Sequence, residues 1–213
     1  MVRLMDMGLE RLKSMIMEMA DYSEATVFTA INSYSEGQDL ADMIYARSLQ
    51  LRKMEDDVNE LAVEIISRYQ PVASDVRFLK SCMEISYGFS RFGRYAFDIS
   101  QVLRIVGNLS TCDKTEVLKA GEQAKEMIKL SIQAFVEKNV TVAKEVREMD
   151  DVIDKIYVDA LRQVSTQSNA DIKCSISSIL ILRYLERIAD HATYIGDSVV
   201  YVVSGQQVPK MNI

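Results

Sequence analysis

Apolar residues recur along this chain at steps of three and four, the spacing that lines one face of a helix. A second such segment carries Leu51, Met54, Val58, Leu61 and Ile65, and a fifth repeats the stripe with Val146, Met149, Ile153, Ile156 and Ala160. The first shows Leu9, Leu12, Ile16 and Met19, the third Leu79, Phe89, Ala96 and Leu103, and the sixth Leu182, Leu185, Ala192, Ile195 and Val199. The fourth is the weakest, with Val117, Ala124, Ile128 and Phe135, and an acidic cap at Asp113 and Glu116 opens it. Polar or breaker positions separate them at 35–38, at Gln70-Pro71-Val72, and at 107–110, 137–139 and 165–169. Narrow stripes on long helices joined by short turns predict an all-α bundle of six antiparallel helices.

The six segments fall into two sets of three. Met54-Glu55-Asp56-Asp57-Val58-Asn59 aligns with Met149-Asp150-Asp151-Val152-Ile153-Asp154 at an offset of 95 residues. Phe89-Ser90-Arg91-Phe92-Gly93-Arg94-Tyr95-Ala96 aligns with Leu185-Glu186-Arg187-Ile188-Ala189-Asp190-His191-Ala192 at an offset of 96. One residue was therefore gained in the intervening loop, where length changes are tolerated. The chain is a tandem duplication of a three-helix unit, with expected bounds of 1–109 and 110–205 and a flexible tail at 206–213.

Composition narrows the function classes. The 213 residues are 48% hydrophobic and 26% charged, with two prolines and eight glycines, an ordinary helix-favouring balance. A net charge of −6 and a pI of about 5.0 disfavour nucleic acid as a partner. Cys82, Cys112 and Cys174 lie far apart, which predicts three small core residues in a reducing compartment rather than a disulfide framework. The opening Met1-Val2-Arg3-Leu4-Met5-Asp6 meets an acid before any apolar run, so no signal peptide is expected. No stretch is apolar for the ~18 residues a membrane span needs, and a cytoplasmic location follows as the expectation.

Candidate chemistry lies in two acidic pairs. Asp150 and Asp154 are four apart on the fifth helix, and Glu186 and Asp190 are four apart on the sixth. Like charges at that spacing repel on a helix. Each acid directly follows a stripe residue, which places both pairs in the column beside the apolar seam. If helices five and six pack antiparallel, the columns can face one another, and four gathered carboxylates titrate abnormally or need a cation. An all-oxygen ligand set suits iron, manganese, magnesium or calcium. The plain alternative is a solvated acidic face balanced by Lys155, Arg183 and Arg187. The single His191 is either a surface or capping residue or an additional ligand. The Glu-x-x-His pairs of ferritin-like di-iron sites are absent, which disfavours oxidase chemistry.

The same residues carry a family resemblance. Glu186-Arg187-Ile188-Ala189-Asp190-His191-Ala192 resembles the Glu-Arg-Ile-Gly-Asp-His-Ala run of the PhoU family, and Gln70-Pro71-Val72-Ala73-Ser74-Asp75-Val76-Arg77 resembles its Gln-Pro-Val-Ala-x-Asp-Leu-Arg junction. Gly8-Leu9-Glu10-Arg11-Leu12 with Met15 and Met19 is similar to its first helix. The resemblance spans essentially the whole chain. It implies a non-enzymatic, phosphate-responsive regulator acting on a phosphate ABC transporter ATPase or a sensor kinase, with metal, iron among the candidates, on the acidic motifs. Asp150, Asp154, Glu186 and Asp190 are then the metal ligands.

The first repeat departs from that pattern. Glu55 is followed four residues later by Asn59, and Ser90 by Arg94, so three of four acids are lost and a cation is gained. Arg94 either supplies a built-in positive charge near Glu55 or Asp98 or points into water. No phosphate-binding Gly-rich loop, no Ser-His-Asp set and no basic nest for inorganic phosphate stands out. Two other functions remain open: a metal-binding helical module of another transporter or channel, and a metal-dependent phosphohydrolase using the acidic cluster. A homodimer is expected if Met15, Met17, Tyr194 and Tyr201 are exposed.

Overall fold

The computed structural model describes residues 4–166 and 171–208. Residues 1–3, the 167–170 part of the fifth-to-sixth connection, and positions 209–213 of the expected tail lie outside the described residues. The described chain forms α1 (Leu4–Glu36), α2 (Ala41–Tyr69), α3 (Ala73–Val106), α4 (Thr115–Glu137), α5 (Val140–Thr166) and α6 (Ile172–Ser204). Every stripe residue named above is buried or half-buried.

The helices stop where the backbone chemistry requires it. Gln70 ends α2 in the left-handed region at a φ of 44°, and Pro71 beyond it cannot continue the helix. Gly107 ends α3 at a φ of 76°, a conformation glycine adopts without strain. Side chains cap α5 and α6. Asp171 accepts from the backbone of Lys173 and Cys174 at the start of α6, and Asn139 accepts from Thr141 and Val142 at the start of α5. At α4 the N-cap position is Lys114, with no side-chain cap; Asp113 just before it accepts from the Thr115 backbone N–H at 2.9 Å, and Glu116 lies inside the first turn.

Helices α1, α2 and α3 pack into one three-helix bundle and α4, α5 and α6 into the other. The bundles join through equivalent elements, α3 lying on α6 and α1 on α4. One continuous core results, running from Leu12, Ile16 and Met19 through Phe89 and Phe92 to Ile153 and Leu185. Close helix approaches use glycine: a Cβ at Gly88 would meet Ile195 at 3.0 Å, and one at Gly196 would meet the Ala143 carbonyl oxygen at 3.0 Å. No helix among the described residues is long and apolar enough to cross a membrane.

One expectation fails. Cys82 is a free, buried core residue, but Cys112 and Cys174 form a disulfide with a Cα–Cα distance of 5.3 Å across a sequence separation of 62 residues. Scatter along the sequence concealed the pair because the connection between α3 and α4 folds back beside the first turn of α6. There the Lys173 ammonium also donates to the Asn108 carbonyl at 2.5 Å. The reducing compartment inferred from scattered cysteines loses that support.

Candidate metal centre

Asp150 and Asp154 project from α5, and Glu186 and Asp190 from α6, along the seam where these helices pack. Asp150 follows the core position Met149 by one residue and is carried inward to 4% exposure; the other three are half-buried. The plain alternative of a fully solvated acidic face is not what the chain builds.

Burial and mutual repulsion act on all four. Desolvation and then the charges of Asp190, Asp154 and Glu186 push the Asp150 carboxyl up to about 7. Desolvation and the Asp190 charge push Glu186 up to about 7, against the opposing pull of Arg183. Asp154 and Asp190 are also raised, chiefly by desolvation. Two oxygens in this group, Asp150 Oδ1 and Glu186 Oε2, are buried with no hydrogen-bond partner. Such orphaned acceptors are costly unless something comes to meet them.

A donor set of carboxylates with two unmet oxygens fits a hard cation. The side chains are not already drawn into a cage: among the described residues no three His, Cys, Asp or Glu groups stand in metal-ligand geometry. Arg183 forms an ion pair with Glu186 across one turn of α6 and offsets part of the acidic charge, while burial beside the other acids raises Asp150 on α5 to about 7.

Sequence reasoning missed a second cation on this seam. Arg147 of α5 donates to Asp197 of α6 at 2.6 Å, both largely buried, and ties the helices together beside the acids. Their separation of fifty residues gave no local signal. His191 is neither a surface nor a capping residue. It sits half-buried against Tyr87, Tyr95 and Tyr194, with ring centroids at 5.7, 5.8 and 5.6 Å, and burial lowers its pKa to about 4.

The equivalent place in the first repeat is built differently. Arg94 pairs with Asp98 through two contacts of 3.1 and 3.2 Å rather than with Glu55. Asn59 Oδ1 is buried without a partner, and Ser90 and Glu55 are half-buried. Of the residues offered for a dimer, Met15 and Met17 pack against the core and Tyr201 lies under the Lys80 ammonium; Tyr194 is 41% exposed.

A cleft of about 290 Å³ lined by Leu9, Lys13, Asp75, Phe78 and Phe135 contains none of the four acids.

Comparison with known proteins places these features. The PhoU domain matches residues 16–103 and again residues 117–199. A protein from Pseudomonas putida named phosphate-specific transport system accessory protein PhoU homolog is 31% identical, covering 96% of this chain and 82% of its own length. A homolog of the same name from Clostridium acetobutylicum is 26% identical over 97% of both chains. The crystal structure of PhoU from Pseudomonas aeruginosa superposes with a TM-score of 0.89 at 29% identity, covering 94% of this chain and 99% of that one. That of the phosphate transport system regulatory protein PhoU from Streptococcus pneumoniae gives 0.89 at 18% identity, a likeness of fold. Both halves of the chain carry the domain, and the protein belongs to the PhoU family.

Proposed function

We propose that this chain is a non-enzymatic accessory protein of phosphate transport. It docks through its helical faces on the ATPase of a phosphate ABC transporter, or on a sensor kinase coupled to it, and holds a metal ion in the acidic seam of the second repeat. The names carried by its relatives and the match of both repeats support the phosphate role. The observation that supports the metal is Asp150, a carboxyl with 4% exposure and an oxygen that no hydrogen bond meets. Burying such a group costs several kcal/mol unless it is neutralised. Asp150, Asp154, Glu186 and Asp190 are the residues that would hold the ion. Their oxygen chemistry suits iron, manganese, magnesium or calcium. The ion would supply the positive charge that Arg183 alone does not.

Elemental analysis of the purified protein beside the Asp150→Ala/Asp190→Ala double variant tests the metal, and equal metal content in both removes it. Pull-down from membrane fractions grown at high and low phosphate tests the docking. Recovery of a different transporter or channel, without the phosphate transporter ATPase or a kinase, replaces the adaptor role with the broader one of a helical regulatory module.

A further inference from the structure

The duplication puts an arginine at the same place in each half, Arg91 on α3 and Arg187 on α6. Because α3 packs on α6, the Tyr95 ring of α3 lies against His191 and Tyr184 of α6, on the stretch of α6 that carries Arg187. The Arg91 guanidinium donates to the Tyr95 hydroxyl at 2.8 Å and lies over that ring at 4.8 Å. The exposed Arg187 side chain of α6 is drawn toward the same hydroxyl, which holds its guanidinium charged. Both charges act on the His191 ring, which holds in the second repeat the position that Tyr95 holds in the first.

Among the described residues neither arginine has a carboxylate counter-ion in contact, as is also true of Arg47 and Arg77, but here two such cations share one hydroxyl. Several other arginines are matched, Arg104 with Asp39 and Asp42 and Arg147 with Asp197 across helices, and Arg94 with Asp98 and Arg183 with Glu186 within one helix. Among the described residues no carboxylate lies within ion-pair distance of Arg91 or Arg187, although Glu186 and Asp190 attract Arg187 from farther off and Arg91 is felt at Asp98. Arg91 Nε is buried and unpartnered. Two planar guanidiniums converging on one phenol, without a carboxylate in contact, keep N–H donors that a ligand can meet. A tetrahedral oxyanion accepts several N–H donors at once, which is what forked guanidiniums offer.

We infer that Arg91 and Arg187, with the Tyr95 hydroxyl between them, form an anion site for a phosphate group on the join between the two repeats. Its residues are neither the acids of the seam nor their ion-pair partners, and it stands whether or not a transporter is the docking partner. The sequence showed no basic nest because the two arginines are 96 positions apart and only the packing of α3 on α6 brings them together. The group is carried by inorganic phosphate or by a phosphate monoester.

The test is calorimetric titration of the full chain at constant ionic strength, with EDTA present so that anion held through a metal is not counted. One arm uses inorganic phosphate and the other glycerol phosphate; binding in either supports the site and names its source. Arg91→Gln and Arg187→Gln are each expected to weaken binding about tenfold or more, the loss of a charge-assisted contact. Arg52→Gln, on the exposed face of α2, leaves it unchanged. Helical circular dichroism checks that each variant is folded. No binding of either ligand by the parent protein, or undiminished binding by the folded double variant, overturns the site.

Discussion

Cys112, in the connection between α3 and α4, is bonded to Cys174 in the first turn of α6, so α4 and α5 lie inside a covalently closed loop. A cross-link over 62 residues restricts the unfolded chain more than the folded one. Reduction, or Cys112→Ser with Cys174→Ser, is expected to lower stability by about 2–4 kcal/mol. Urea denaturation with and without reductant measures this, and superimposable curves would show that the bond contributes nothing.

The seam carboxyls set a pH dependence in the metal-free protein. Asp150 and Glu186 are both held at about 7 in the fold, above the ordinary carboxylate range near 4, so the folded chain keeps protons that the unfolded chain releases. Their contribution to stability is complete below about pH 4 and is lost progressively as pH rises to about 7. Asp150→Asn, which keeps the shape without the charge, should be more stable than the parent at pH 8 by on the order of 2 kcal/mol, and no more stable at pH 4. Denaturation in the presence of chelator at the two pH values decides it. An equal difference at both would assign the effect to packing.

His191 is the single histidine, so its imidazole protons give an unambiguous signal. Enclosed by tyrosines and depressed to about 4 by burial and by Arg91 and Arg187, it is neutral in the fold. The depressed value means that stability is present above about 6.5 and falls as pH drops toward about 4. Proton NMR should show no titration of this ring between about pH 8 and pH 5.5. A midpoint near 6.5 would place the ring in water.

Two glycines separate crowding from backbone strain. Gly196→Ala puts a methyl against the Ala143 carbonyl oxygen of α5, a main-chain atom that cannot turn aside. Forcing α5 away from α6 should cost about 1–3 kcal/mol and disturb the acidic seam. Gly37→Ala meets no atom within 4 Å but must hold a φ of 72°, a backbone cost of about 1–2 kcal/mol with no effect on the seam. Stability curves and metal content of the two variants, side by side, distinguish the causes. A loss of metal with Gly37→Ala would refute the distinction.

Helices and their ends were legible because they are written locally. The steps of three and four from Leu51 to Ile65 settle which face of α2 turns inward, and Gln70-Pro71 and Gly107 stop their helices by their own backbone chemistry. The inward drift of Asp150 was legible for the same reason, its place next to Met149. The remainder depends on which helices touch. Nothing along the sequence relates Cys112 to Cys174 or Arg147 to Asp197, and the repeat that aligns Arg91 with Arg187 does not say that they approach one another, since each of these contacts exists only once α3, α5 and α6 have packed. His191 was misjudged on the same ground: its neighbours Tyr87 and Tyr95 come from α3, in the other repeat.

Equivalent helices lie against one another at the join, α3 on α6 and α1 on α4, an arrangement with the outline of a two-fold. The side chains depart from it. One end of the pseudo-symmetric body carries Asp150 and Asp190, and the other carries Glu55 and Arg94 at the corresponding stations. A partner sensitive to charge would therefore meet a scaffold with a front and a back, because the duplicated halves have exchanged a few polar groups while keeping their frame.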